Sequence, residues 1–253
     1  MLKNRTILIT GGGSGIGEAL AINLSKDNLI IICGRNEDKL KKVAASTKNV
    51  SYYVTDIAIP NEIDKLFKSI ADDGIVLNVL INNAGVVEQW DMTKTTFSSA
   101  QIFEKVNTNL SGAIAITQQF IRQANKSVEN LIVSVTSEIA LFPIPILPLY
   151  ATSKAGLRVF TKALRAQLKK MNFKVIEILP PAVDTAMPRQ LGNTGKLVNA
   201  DVFAKSIIAN IDKGKNEFAP GSNVPLLKLF NVFFPRIGLK LIDSMSRKQL
   251  QTQ

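Results

Sequence analysis

Residues Thr10-Gly-Gly-Gly-Ser-Gly-Ile-Gly17 follow the apolar run Thr6–Ile9 and open an amphipathic stretch, Gly15–Lys26. Glycines at 11, 15 and 17 let the backbone turn sharply and come close to a ligand. The helix that begins here offers free N–H groups and the positive end of its dipole, a natural seat for a phosphate. A merely tight strand-to-helix turn uses the same residues. The spacing is also G-x-x-x-G-x-G, not the G-x-G-x-x-G of the common dinucleotide fingerprint.

Working outward, short apolar runs recur at Leu29–Cys33, Val50–Val54, Val76–Ile81, Leu131–Val135 and Val175–Leu179, with a weaker one near Phe218. They are rich in β-branched residues and scarcely alternate, as strands buried on both faces require. Between them Glu37–Ser46, Asn61–Asp72, Thr96–Ala124, Tyr150–Lys170 and Asp201–Lys213 read as helices. This alternation predicts an α/β fold: one doubly wound (Rossmann) parallel sheet of about seven strands with helices on both faces, over residues 1–253.

Composition removes several chemistries. The 253 residues contain no histidine and one cysteine. A Ser-His-Asp triad, an imidazole base and a His-ligated or four-thiolate metal site are therefore all absent, and no metal is expected. Cys33 reads as a buried thiol in a reducing compartment. No secretory h-region stands at the start, and prolines 143, 145 and 148 break the longest nearly uncharged stretch, so the expected location is cytoplasmic. The net charge of +11 is uneven: fourteen basic and twelve acidic residues over 1–127, seventeen and eight over 128–253. No clustered basic stripe accompanies it, so a nucleic-acid partner is not expected.

Two further segments carry chemistry. The second strand ends at Cys33-Gly-Arg35, where dinucleotide folds place an acid for a ribose 2′-hydroxyl or an arginine for a 2′-phosphate. The chain has Arg35 there and no acid before Glu37, which favours NADP over NAD. In Tyr150-Ala-Thr-Ser-Lys154 the phenol and ammonium share a helix face. A neighbouring cation is expected to lower the phenol pKa and make Tyr150 a proton donor or acceptor. Ser137 follows the fifth strand, at the edge where open parallel sheets bind ligands.

Together these residues resemble the short-chain dehydrogenase/reductase family in its roughly 250-residue form, from about Arg5 to Phe218. Thr10–Gly17 is similar to that family's T-G-x-x-x-G-x-G loop, and Asn82-Asn-Ala-Gly85 to its N-N-A-G segment. The resemblance implies a catalytic tetrad of Asn109, Ser137, Tyr150 and Lys154. For NADP it implies binding by Thr10, Gly11, Ser14, Gly15, Ile16 and Gly17, by Arg35 and Asp56, and by Asn83, Ala84 and Gly85. Tyr150 and Lys154 also belong to that cofactor set, as do Pro180, Val183 and Thr185. Asp56 would meet the adenine amine, Thr185 the nicotinamide carboxamide, and Lys154 the nicotinamide ribose. Asn109, a poor helix former, would disturb its helix and seat a water. The implied activity is hydride transfer between nicotinamide and a carbonyl or secondary alcohol, by a homodimer or homotetramer joined through the helices at 96–124 and 150–170. Pro181 departs from the family's usual glycine and removes an N–H. The double-proline segment Pro180–Thr185 further resembles a group of oxidoreductases encoded alongside D-alanine–teichoic acid genes in some Gram-positive bacteria.

Two regions lie beyond this chemistry. Ile139–Leu149, without a charge, reads either as an apolar substrate wall or as a surface buried on a neighbouring subunit. Residues 186–199 resemble a mobile substrate lid. In the 221–253 extension Ile237, Leu241 and Met245 share a helical face amid basic residues. That extension could cover the pocket, pack in an oligomer or lie on an anionic membrane surface. A different class of function on the same fold, a nucleotide-sensing or interaction protein without turnover, would be expected to lose part of the tetrad.

Overall fold

Neighbouring residues of a strand point to opposite faces of a sheet, and here both faces are covered. In β1 (Thr6–Thr10), Ile7 and Ile9 join one apolar cluster while Leu8 joins another; in β2 (Leu29–Gly34), Ile30 and Ile32 divide from Ile31 and Cys33 in the same way. This is a computed structural model, and it describes residues 2–191 and 197–220 together with Phe233.

The remaining strands are β3 (Val50–Val54), β4 (Val79–Asn82), β5 (Asn130–Val135), β6 (Phe173–Ile178) and, much shorter, β7 (Val183–Asp184), β8 (Val198–Asn199) and β9 (Glu217–Phe218). Seven of them form one parallel sheet in the order β3-β2-β1-β4-β5-β6-β9, as expected, while β7 and β8 pair separately. On one face α1 (Gly15–Leu24), α2 (Glu37–Ser46) and α8 (Ala200–Asp212) insert Leu20, Leu24, Leu40, Val43, Phe203, Ile207 and Ile211. On the other, α3 (Pro60–Asp72), α5 (Gly112–Gln123) and α6 (Pro148–Gln167) supply Phe67, Ile70, Ile116, Phe120 and Leu164. Two short or exposed helices remain, α4 (Ser99–Val106) and α7 (Ala186–Gln190).

One predicted helix is built differently. Thr96–Ala124 begins later, at Ser99, where Ser98 and Gln101 form a reciprocal capping box. It is then interrupted by a π turn, Asn107–Ser111. The cause is Asn109, whose amide donates to Val86 O and accepts from Val86 N, both at 2.8 Å. Those bonds to another segment favour the wider turn, which is where π-bulges concentrate at functional sites. The predicted strand Val76–Ile81 also starts later, at Val79, with Val76 exposed. Cys33 is buried and its thiol is pushed up to about 12 by desolvation, so it is an inert core residue.

The strand order reverses between β1 and β4. Turns at the C-terminal ends of these strands diverge there and leave a crevice, the position where open α/β sheets take ligands. Among the described residues no helix is long and apolar enough to cross a membrane, and no cluster of acids or thiols is placed to hold a metal. Residues 192–196 of the expected lid lie outside the described residues, as does the 221–253 extension apart from Phe233.

Candidate active site

A cavity of about 840 Å³ occupies that crevice. Strand order lays out its walls. Asp56 follows β3, Arg35 follows β2, Gly11 and the run Gly13 to Ile16 follow β1, Asn83 to Gly85 follow β4, Ser137 follows β5 and Pro180 follows β6; all line the cavity. Tyr150 and Lys154 of α6 close it, with Val183 and Thr185 beyond β6. Three expected site residues stand behind the wall: Thr10, Gly17 and Asn109.

Thr10 and Gly17 hold the wall in shape. The Thr10 hydroxyl accepts from the Asn83 and Ala84 amides at 3.0 and 3.1 Å, and the Asn83 side chain donates to Thr10 O and Gly11 O. The turns after β1 and β4 are thereby tied together. Gly11 and Gly15 have φ of 67° and 58°, a region that penalises any Cβ. A Cβ on Gly15 would meet Thr185 Cγ2 at 2.9 Å, and one on Gly17 would meet Gly11 O at 2.3 Å. Ser14 at the N-cap makes no side-chain cap bond, so it does not satisfy the first N–H groups of α1. A glycine-lined cradle at an uncapped helix start, with no room for side chains, suits the pyrophosphate of a dinucleotide.

Arg35 sits at the rim, half-exposed, with Nη1 3.1 Å from Glu104 Oε1 on α4. Lys39 and Asn36 line the cavity beside it. Sequence reading passed over both, although Lys39 lies four residues from Arg35, at a helix-start spacing that brings a second cation to the same spot. Asp56 is occupied locally, its Oδ1 accepting from Ala58 N at 2.9 Å to hold the turn after β3.

At the opposite end three side chains converge. The Ser137 hydroxyl lies beside the Tyr150 phenol, close enough to favour its ionised form, and accepts from Ile139 N at 3.2 Å. Its neighbours have other partners or places: Thr136 Oγ1 lies 2.9 Å from Glu177 Oε1 and Ser134 is buried within β5. Lys154 Nζ donates to Val135 O at 2.9 Å and stands 5.8 Å from the Tyr150 ring centroid. A Cβ at Gly85 would meet Asn109 Oδ1 at 3.2 Å and Lys154 Nζ at 3.4 Å, so a bare backbone is what lets these two groups draw close.

The electrostatics depart from the expectation that Lys154 lowers the phenol pKa. Burial pushes Tyr150 up to about 12, and the Ser137 hydroxyl opposes it only in part. Burial also pulls Lys154 down to about 8. Desolvation acts on both members of the pair and disfavours the charged form of each. The ammonium is directed to a carbonyl, not to the phenol.

The segment Ile139–Leu149 contributes Ile139, Ile144, Ile146 and Leu147 to the cavity, which Met187 and Leu191 also line. Pro181 also lines it, and the chain around it is anchored by Glu138 N to Pro180 O and Val198 N to Ala182 O.

A family model described as short chain dehydrogenase matches residues 5–195. The oxidoreductase DltE of Bacillus subtilis is 32% identical over 221 residues, spanning 85% of this chain and 88% of the relative. Human 17-beta-hydroxysteroid dehydrogenase type 3 is 28% identical over 211 residues, 82% of this chain and 68% of its own. Among solved structures, a short chain dehydrogenase from Burkholderia cenocepacia in complex with NADP superposes with a TM-score of 0.82 at 19% identity, covering 96% of this chain and 98% of that one. Actinorhodin polyketide ketoreductase with NADPH gives 0.76 at 22%, covering 87% and 97%.

Proposed function

The chain belongs to the short-chain dehydrogenase family and is thus an NAD(P)-dependent oxidoreductase acting on CH–OH/C=O groups, and on that premise we propose that it is an NADP-dependent reductase or dehydrogenase of an apolar carbonyl or secondary alcohol. The observation that carries this is the meeting of Ser137, Tyr150 and Lys154 at the apolar end of a cavity whose other end is the glycine cradle. The bound nicotinamide would supply or accept the hydride. The cradle of Gly11, Ser14, Gly15 and Ile16 would hold its pyrophosphate, with Asp56 toward the adenine, Asn83, Ala84 and Gly85 along the floor, and Pro180, Val183 and Thr185 toward the carboxamide.

The residues divide the remaining work. Ser137 donates a hydrogen bond to the carbonyl oxygen as negative charge grows there, and Tyr150 delivers the proton. A phenol held up to about 12 stays protonated through the physiological range, which suits reduction. Lys154, close to the reacting end, contributes a positive charge that favours the developing oxyanion. Asn109 clamps Val86 through the π turn and fixes the floor against which Lys154 lies. The wall formed by Ile139, Ile144, Ile146 and Leu147 selects an apolar substrate body. Residues 186–199 act as the lid, residues 1–253 as one catalytic domain, and the enzyme assembles as a homodimer or homotetramer.

Two outcomes test the cofactor and charge assignments. Arg35→Ala should weaken NADPH binding about tenfold to a hundredfold while changing NADH binding less than about threefold, because only NADPH carries the 2′-phosphate. Titration of the variant with each cofactor checks this, and equal losses would contradict it. A pH profile tests the second assignment. The Lys154 pKa is lowered to about 8, so its cation is fully present below that pH and lost above it. For carbonyl reduction kcat/KM should therefore be level in the acid range and fall above about pH 8. A flat profile between about pH 7 and 10 removes Lys154 as the charged partner. The reading as a whole is tested by a panel of apolar ketones, aldehydes and alcohols with both cofactors, followed at the nicotinamide absorbance. No turnover with any of them would reject it.

A further inference from the structure

The run Val175–Leu179 reads as a buried strand, yet it contains Glu177, whose side chain is 0% exposed. Its partner is Arg158, also buried, with Nη1 2.6 Å from Glu177 Oε2. The same guanidinium places Nη2 3.3 Å from Glu217 Oε1 on β9. The other Glu177 oxygen lies 2.9 Å from the hydroxyl of Thr136, which is also 3.0 Å from Ile178 O.

The location of each member gives the network its interest. Arg158 stands one turn beyond Lys154 on α6, the helix that carries Tyr150. Thr136 immediately precedes Ser137. Glu177 is in register with Ser134 of β5 and Glu217 of β9, and its strand runs directly into Pro180. One buried cluster therefore joins the three backbone segments that carry the serine, the tyrosine and the nicotinamide-side loop. We propose that Arg158, Glu177 and Thr136 form a positioning network that holds Ser137 and Tyr150 in register for proton delivery. This rests on the catalytic reading of those two residues.

Stability alone does not call for such a cluster. Apolar side chains of similar volume can replace a buried ion pair with no net loss, since desolvation offsets much of its attraction. Apolar packing has no direction, however, whereas the guanidinium and hydroxyl bonds set both distance and angle. Small displacements at a reacting centre have large consequences, on the order of a hundredfold in rate for about 1 Å.

The test uses the full-length enzyme. Arg158→Met alone leaves the Glu177 carboxylate buried without its cation and should unfold most readily. The double variant R158M/E177M removes both charges. It should melt within a few degrees of wild type and keep its NADPH dissociation constant within about threefold, while kcat for carbonyl reduction falls about tenfold to a hundredfold. A double variant with wild-type melting and wild-type kcat overturns the proposal. Should the double variant fail to fold, Thr136→Val decides: a kcat about tenfold lower at unchanged NADPH affinity supports positioning, and an unchanged kcat overturns it. The two readings separate cleanly. Wild-type enzyme without turnover would remove both, whereas active wild type, inactive Tyr150→Phe and fully active R158M/E177M would remove only the network.

Discussion

Replacing Tyr150 with phenylalanine should lower NADPH-dependent carbonyl reduction by about a thousandfold or more, because the variant has no group to protonate the oxygen as hydride arrives. The change deletes one oxygen atom from a residue on the cavity wall. The ring, its packing on α6 and the glycine cradle remain, so NADPH binding should stay within about threefold of wild type. Lys154 will not substitute, since its Nζ is held by Val135 O. Single-turnover absorbance measurements with saturating NADPH separate the chemical step from binding. Turnover within about tenfold of wild type would move the proton donor elsewhere, and loss of NADPH binding would show that the phenol holds the cofactor instead.

Gly17→Ala should be the most damaging single change in the cofactor cradle. The added methyl would lie 2.3 Å from Gly11 O and 2.6 Å from Asn83 Nδ2, closer than real Cβ contacts come. Neither neighbour can step aside cheaply. Gly11 O is backbone, and the Asn83 amide holds the β1 and β4 turns together. Helix α1 must therefore move away from the turn that precedes it, widening the phosphate seat. Overpacking of this kind costs about 1–3 kcal/mol in stability. Affinity for NADPH and NADH should fall together, each about a hundredfold, because the pyrophosphate is common to both. Calorimetric titration alongside thermal melting checks this. Wild-type affinity for either cofactor would mean that the phosphates are held away from this turn.

Much of the scaffold was legible from residue pattern. Leu29–Cys33 and Leu131–Val135 declared themselves as buried strands because a parallel sheet covered on both sides tolerates little but apolar, β-branched residues. Gly11 and Gly15 marked the crevice because φ of 67° and 58° penalises most residues that carry a Cβ. The spacing of Tyr150 and Lys154 placed them on one face because helix geometry is local. The family assignment, resting on such short segments in order, agrees with the match over residues 5–195.

Other features depended on segments far apart in the chain. The π turn at Asn107–Ser111 exists because Asn109 is bonded on both sides to Val86, a partner that no periodicity in 96–124 announces. The placing of the neighbouring hydroxyls is likewise tertiary: Thr136 is bonded to Glu177 across the sheet, whereas Ser137 stands beside Tyr150.

The same division runs through the electrostatics. Residue types and spacing established a parallel α/β fold, a glycine cradle and a tyrosine–lysine pair, since these follow from backbone sterics and helical repeat within a few residues. The protonation of that pair was decided by the folded surroundings. Proximity to a cation favours phenolate, but burial favours the neutral phenol, and burial dominates at Tyr150. Glu177 makes the point again. In the sequence it interrupts an apolar strand without explanation; in the fold its carboxylate meets Arg158 from nineteen residues away, because the packing of α6 on β6 is what supplies the countercharge.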